Sequence, residues 1–176
     1  MPTFYDLKKI ECIHPLFHLL EQCRGVRQNL EHHPEGDVFN HSLQVLHIAM
    51  RESDDLDLIF AGMLHDVGKA VGRLGHDQYG VKLLAGKASN RTIWIVGQHM
   101  RFWTFITGEM RRLGKVRDMV NHPWFSDLAL VCRWDKMGKN PNCKIQYDRV
   151  HIIERLQKIQ NTLEHTNLQG DRIQPI

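Results

Sequence analysis

Apolar residues recur at three- and four-residue spacing along most of the chain, with Leu43, Leu46 and Met50 as one series and Leu156, Ile159 and Leu163 as another. That period keeps one face of an α-helix against a core, whereas the period-two alternation of half-buried strands is scarce. The pattern predicts an all-α domain. A first helix is expected over about 12–23, before the polar segment HHPEGDV, where Pro34 and Gly36 interrupt the periodicity. Asp37 or Asn40 can cap a second helix over about 38–52. The cluster Ser53-Asp54-Asp55 opens a third, which carries LIFAGMLHDVGK and is expected to end at Gly68. Gly72 and Gly75 bracket a loop, and Asp77 starts a helix through Leu84. Further helices fit about 90–100, 111–121, 125–137 and 148–165, the last two separated by MGKNPN, and the tail after Leu168 is expected to be irregular.

With 176 residues and 42% hydrophobic content, the chain suits one core, so a single domain over 1–176 is expected. The net charge of +3 gives no long-range electrostatic argument for a dedicated nucleic-acid binder. RRLGKVR at 111–117 and the group Lys136, Lys139, Lys144 read as solvated faces. Cys12, Cys23, Cys132 and Cys143 form no C-x-x-C pair and the N-terminus has no secretory pattern, so a reduced, cytoplasmic protein is expected. No apolar segment approaches the roughly 20 residues of a membrane helix.

The stretch LHDVGK, residues 64–69, changes this bland picture. An imidazole, a carboxylate and an ammonium close a segment whose apolar run reads as buried, and unpaired buried charge is costly. Histidine nitrogen and carboxylate oxygen bind divalent metals well, and such ligands converge from separate elements. His41, near the start of VFNHSLQVLHIA, and Asp135, near the end of DLALVCRWDKMGK, are polar groups on otherwise apolar helices. With His65 and Asp66 they make a set of two imidazoles and two carboxylates.

The order H, then HD, then a distant D resembles the HD superfamily of metal-dependent phosphohydrolases. HHPEGDVFNHSLQVLHIA, AGMLHDVGKA, GHDQYGVKLL and LALVCRWDKMGK are most similar to the HD domain of bacterial tRNA nucleotidyltransferases, over about 30–140. No G-S motif followed by D-x-D occurs, so the resemblance is to a stand-alone HD domain and does not imply nucleotide addition to tRNA. It implies one or two divalent ions (Mn, Co, Ni, Mg, Zn or Fe). His41, His65, Asp66 and Asp135 would hold one, and His76 and His99 a second, with Asp66 bridging and catalytic. Lys69 matches the lysine of HD-x-G-K and would be catalytic and bind phosphate, although a lysine at a helix C-terminus is also favoured by the helix dipole. Arg101 is a further substrate-binding candidate and Arg73 a weaker one.

The expected function is hydrolysis of a nucleotide or related small phosphomonoester or phosphodiester by metal-activated water. Three alternatives share the pattern: a deoxynucleoside triphosphate triphosphohydrolase, a di-iron HD-type oxygenase, and a non-catalytic RNA-binding or regulatory module. A small phosphorylated partner is favoured over nucleic acid. Trp94, Phe102 and Trp103 read as packing residues that could also stack on a base. Glu35 is a candidate acid for the leaving group, His32 and His33 are candidate pocket residues, and His47 reads as helix packing.

Overall fold

The computed structural model describes residues 13–170. Eight α-helices follow one another among the described residues: α1 (His14–Glu21), α2 (Val38–Glu52), α3 (Leu56–Leu64), α4 (His76–Leu84), α5 (Asn90–Ile106), α6 (Leu113–Val120), α7 (Phe125–Met137) and α8 (Arg149–Gly170), with a 3-10 turn at Val67–Ala70 between α3 and α4. The all-α expectation holds. Pairing of β type among these residues is confined to an isolated bridge between Arg27 and Asp37. Among the described residues no helix is long and apolar enough to cross a membrane.

α3 is the centre of the molecule. Its sequence LDLIFAGML is apolar on almost every side, and Leu56 and all residues from Leu58 to Leu64 are buried. A helix without a polar face has to be surrounded, and α1, α2, α5 and α7 pack around this one. Gly62 allows a close approach: a Cβ there would lie 3.3 Å from Val45 of α2 and 3.6 Å from Trp134 of α7. The bundle is held at its polar end as well. Asp55 caps α3 through the amides of Asp57 and Leu58, and Arg91 at the start of α5 joins Asp55 to Asp127 of α7 at 2.6 and 2.8 Å.

Of the two candidate caps for α2, Asp37 serves, with Oδ1 accepting from the Asn40 amide at 3.1 Å and Oδ2 from the Gly25 amide at 2.7 Å. One carboxylate therefore starts α2 and pins the preceding loop beside it.

Several boundaries differ from the sequence reading, α1 ending at Glu21 rather than about 23 and α6 spanning Leu113–Val120 rather than about 111–121. α3 stops at Leu64 rather than Gly68, because Asp66 adopts φ −104 and ψ 3 and the chain continues as the 3-10 turn. α4 begins at His76, one residue before Asp77, on Gly75 with φ +71. α5 continues beyond residue 100 to Ile106, since Phe102 and Phe105 extend its apolar face against Phe125, and it ends just before Gly108 at φ +75. α8 includes residues 169 and 170, which were expected to be irregular. Position 12, the expected start of the first helix, and the tail from 171 onward lie outside the described residues.

Gly68 is where the fold meets the site. A Cβ there would fall 1.9 Å from the carbonyl oxygen of His76 and 2.7 Å from the amide nitrogen of Gly80, so the turn after Asp66 lies directly on the first turns of α4. Gly68→Ala is expected to destabilise the fold by about 1–3 kcal/mol, as overpacking against backbone does. Gly114→Ala, in open space on α6, is expected to be neutral or stabilising by up to about 1 kcal/mol. Urea denaturation of the two variants checks this, and equal effects would contradict the packing role.

Candidate metal centre

The end of α3, the N-terminus of α4 and the inward faces of α2, α5 and α7 bring His65, Asp66, His76, His41, His99 and Asp135 together. All six are buried, none more than 6% exposed. Three histidines are oriented by the same local contact: Nδ1 of His65, His76 and His99 meets the carbonyl of the residue three positions earlier, Gly62, Arg73 and Val96, at 2.9, 2.9 and 2.6 Å. A carbonyl only accepts, so each Nδ1 carries the proton. His41 Nδ1 faces the Gly138 carbonyl at 3.1 Å and Glu35 Oε1 at 2.9 Å, with the same consequence.

The four Nε2 atoms then point inward in two pairs, His41 with His65 at 3.2 Å and His76 with His99 at 3.1 Å. Neutral imidazoles protonated on Nδ1 present lone pairs there, and lone pairs this close repel unless positive charge lies between them. Asp66 stands between the pairs. Its Oδ2 is 3.4 Å from His65 and 3.9 Å from His41, and its Oδ1 is 3.2 Å from His76 and 3.7 Å from His99. Asp135 Oδ1 lies 3.0 Å from His41 Nε2 and 3.7 Å from His65 Nε2. The 3.0 Å approach is not directed as a hydrogen bond, and this buried oxygen has no hydrogen-bond partner.

Two donor groups could each hold an ion, His41–His65–Asp66 and Asp66–His76–His99, the potential ligand atoms within each lying within 4.8 Å of one another. The donors are borderline nitrogen and hard oxygen, which suit first-row divalent metals, and the orphaned Asp135 oxygen faces the first group. A third grouping, His33–Glu35–His41, has its nitrogens otherwise engaged: His33 Nδ1 bonds Glu35 Oε1 at 3.0 Å, and His41 Nδ1, 2.9 Å from the same oxygen, bonds the Gly138 carbonyl. Glu35 orients His41 from behind.

Electrostatics follow from this crowding. Burial opposes charge on every member, but the carboxylates and imidazoles offset that cost for one another. Burial alone would raise Asp66 and Asp135, yet His65 and the other imidazoles hold both well below the usual carboxylate range. Burial would likewise lower His65, but Asp66 and Asp135 bring it up to about 10, and Asp135 and Glu35 raise His41. In the metal-free frame, protons on these rings supply the positive charge.

Beside the donors opens a cleft of about 190 Å³ lined by Arg27, Gln28, Asn29, His32, His33, Lys69, Arg73 and His76. Lys69 Nζ sits where cleft and centre meet, 2.6 Å from Asp66 Oδ2 and 2.6 Å from Gln28 Oε1. The sequence candidates thus divide. His41, His65, Asp66, His76, His99 and Asp135 converge, and Lys69, Arg73, His32 and His33 line the cleft. Arg101 stands apart: it is exposed on α5 and bonded to Gln98, two residues from His99 and hence turned away from it. Glu35 is not placed as an acid, since burial raises it but bonds from His33 and His41 bring it down to about 2. The stretch 111–117 is a largely exposed face, as expected.

Sequence reasoning missed Arg27 and Gln28, which belong to no motif, and the polar role of Trp103. Its indole Nε1 donates to Asp135 Oδ2 at 3.0 Å. A tryptophan within an apolar run gives no sign of a carboxylate on another helix.

Fold and donor set together define an all-α histidine–aspartate domain able to hold divalent metal. The HD domain family matches residues 38–145, and the chain belongs to it. That superfamily is typically one of metal-dependent phosphohydrolases. The chain is similar to the Multifunctional CCA protein of Cupriavidus metallidurans, 30% identical over 140 residues, covering 68% of this chain and 34% of that protein. It is also similar to those of Cupriavidus pinatubonensis, 28% identical over 156 residues (77% and 38%), and Halorhodospira halophila, 42% identical over 64 residues (32% and 15%). The chain spans well under half the length of these curated relatives.

A different pH dependence of stability is expected with and without metal. The raised histidines give the metal-free protein stability that is complete below their ordinary value of 6.5 and is lost as pH rises toward about 10. Glu35 contributes stability that is complete above 4.5 and lost as pH falls toward about 2. Metal requires the imidazoles neutral, so its affinity rises over the range in which the metal-free protein weakens. The difference in Tm between manganese-loaded and chelator-treated protein is expected to widen between about pH 6 and pH 9; a constant or narrowing gap would contradict this electrostatic account.

Proposed function

We propose that this HD domain is a metal-dependent phosphohydrolase acting on a nucleotide or a related small phosphomonoester or phosphodiester. The observation that carries this reading is the cleft lined by Arg27, Lys69 and Arg73 that opens beside the two donor groups and shares His76 with one of them. His41, His65 and Asp135 with Asp66 would hold one divalent ion, and His76 and His99 with Asp66 a second. Such ions supply Lewis acidity, bringing water toward ionisation at neutral pH and offsetting phosphate charge.

The chain's own groups do the rest. Asp66 divides its two oxygens between the histidine pairs and so fixes their separation. Lys69 presents its ammonium at the edge of the cleft, held by Asp66 and Gln28, where it can meet a phosphate oxygen as negative charge develops. Arg73, whose guanidinium also reaches the Arg27 carbonyl at 2.7 Å, ties together the two loops that border the cleft. Arg27 and Arg73 offer further donors to a phosphate group, whereas His33, whose Nδ1 proton goes to Glu35, does not. The cleft, at about 190 Å³, is smaller than the roughly 300–1,000 Å³ of ligand pockets in general. It fits a compact phosphate-bearing group whose remainder extends outward, and not a site that encloses a large molecule.

Phosphate release from a nucleotide and sugar-phosphate panel, with manganese, cobalt, nickel or magnesium, tests the reading. Turnover of at least one member is expected. Asp66→Ala is expected to lose bound metal and activity together, whereas Lys69→Ala keeps its metal and loses roughly 100-fold in kcat, the scale of one transition-state donor. Folded, metal-loaded protein inert across the panel, or full turnover by Asp66→Ala, would contradict it.

A further inference from the structure

Asp135 uses its two oxygens differently. Oδ1 faces the Nε2 atoms of His41 and His65 without a hydrogen bond, and Lys139 Nζ is 3.6 Å away from it. Oδ2 points the other way and accepts the indole N–H of Trp103 at 3.0 Å. We infer that Trp103 is a positioning residue of the metal centre: its N–H occupies Oδ2 and so presents Oδ1 alone to the ion held by His41 and His65. This inference rests on the metal-binding reading of the site and adds to it a residue from α5 that holds no ligand atom of its own.

Chemistry favours an indole for this task. Its N–H is donor only and uncharged, so it fixes a carboxylate without competing for the cation or repelling it. A lysine or arginine there would add positive charge beside the ion, and a histidine could itself become a ligand. The ring is well anchored, packed against the core and edge-on to Phe102, whose ring centroid is 5.8 Å away. α5 thus contributes twice to the centre, with His99 facing Asp66 and Trp103 facing Asp135. Without the indole, Oδ2 is free to turn inward or toward Lys139, and Oδ1 loses its fixed direction. Outer partners of this kind typically change metal affinity by roughly 10- to 100-fold when removed.

The test replaces the N–H while keeping the ring. Trp103→Phe and a variant carrying β-(3-benzothienyl)alanine at position 103, in which sulfur stands in place of the N–H, are titrated with Co²⁺ against a chelating dye and their visible spectra recorded. Trp124→Phe, at the opposite end of α7 from Asp135, is the control. Both position-103 variants are expected to bind Co²⁺ roughly 10- to 100-fold more weakly. Their Co²⁺ absorption bands should shift, with Tm changed by no more than about 2–4 °C, while Trp124→Phe keeps wild-type affinity and spectrum. If Phe disrupts the fold, the benzothienyl variant decides. Wild-type affinity and spectrum in a folded position-103 variant would overturn the inference alone. Wild-type protein that binds no Co²⁺ would instead overturn the metal-binding reading beneath it.

Discussion

Two carboxylates, Asp66 and Asp135, are buried among four imidazole nitrogens that converge in pairs little more than 3 Å apart. This arrangement needs positive charge at its centre, because neither the carboxylates nor the facing lone pairs are stable there without it. Lys69 beside Asp66, Lys139 near Asp135 and protons on His41 and His65 meet the need in part. A divalent ion would meet it more completely, since one ion can interact with several of these donors at once. The rest of the molecule can be understood as what holds the donors in place against their own repulsion.

That support is mostly backbone. The carbonyls of Gly62, Arg73, Val96 and Gly138 each accept a hydrogen bond from an Nδ1–H and turn the opposite nitrogen inward. Three of the four contacts span only three residues, so much of the orientation is set locally. The non-local part depends on close packing: Gly62 lets α2 and α7 approach α3, and Gly68 lets the turn after Asp66 rest on α4. Side chains complete the layer behind the candidate donors, with Glu35 behind His41, Gln28 beside Lys69 and Trp103 behind Asp135.

Much of this was legible in the chain, for identifiable reasons. The all-α fold followed from helical spacing of apolar residues, and the run LIFAGML marks a helix with no solvent face. The six convergent residues stood out because each is a polar group in an apolar setting or within the ordered H, HD, H, H, D pattern. The less legible features depend on approach in space. α3 ends before Gly68 because the HD dipeptide itself leaves the helix, so the glycine serves a tight contact and not a helix stop. Arg101 looked suitable by proximity in sequence to His99, but two residues along a helix turn a side chain to another face. Gln28 and Trp103 carry no motif, and their partners are 41 and 32 residues away.

The central claim is that His41, His65, Asp66 and Asp135 surround a common cation. Anomalous diffraction at the manganese edge, from crystals of the protein grown with Mn²⁺, tests it most directly. The account predicts an anomalous peak within coordinating distance of the Nε2 atoms of His41 and His65 and of oxygens from Asp66 and Asp135. Well-ordered side chains with no anomalous signal among them, at saturating Mn²⁺, would contradict it.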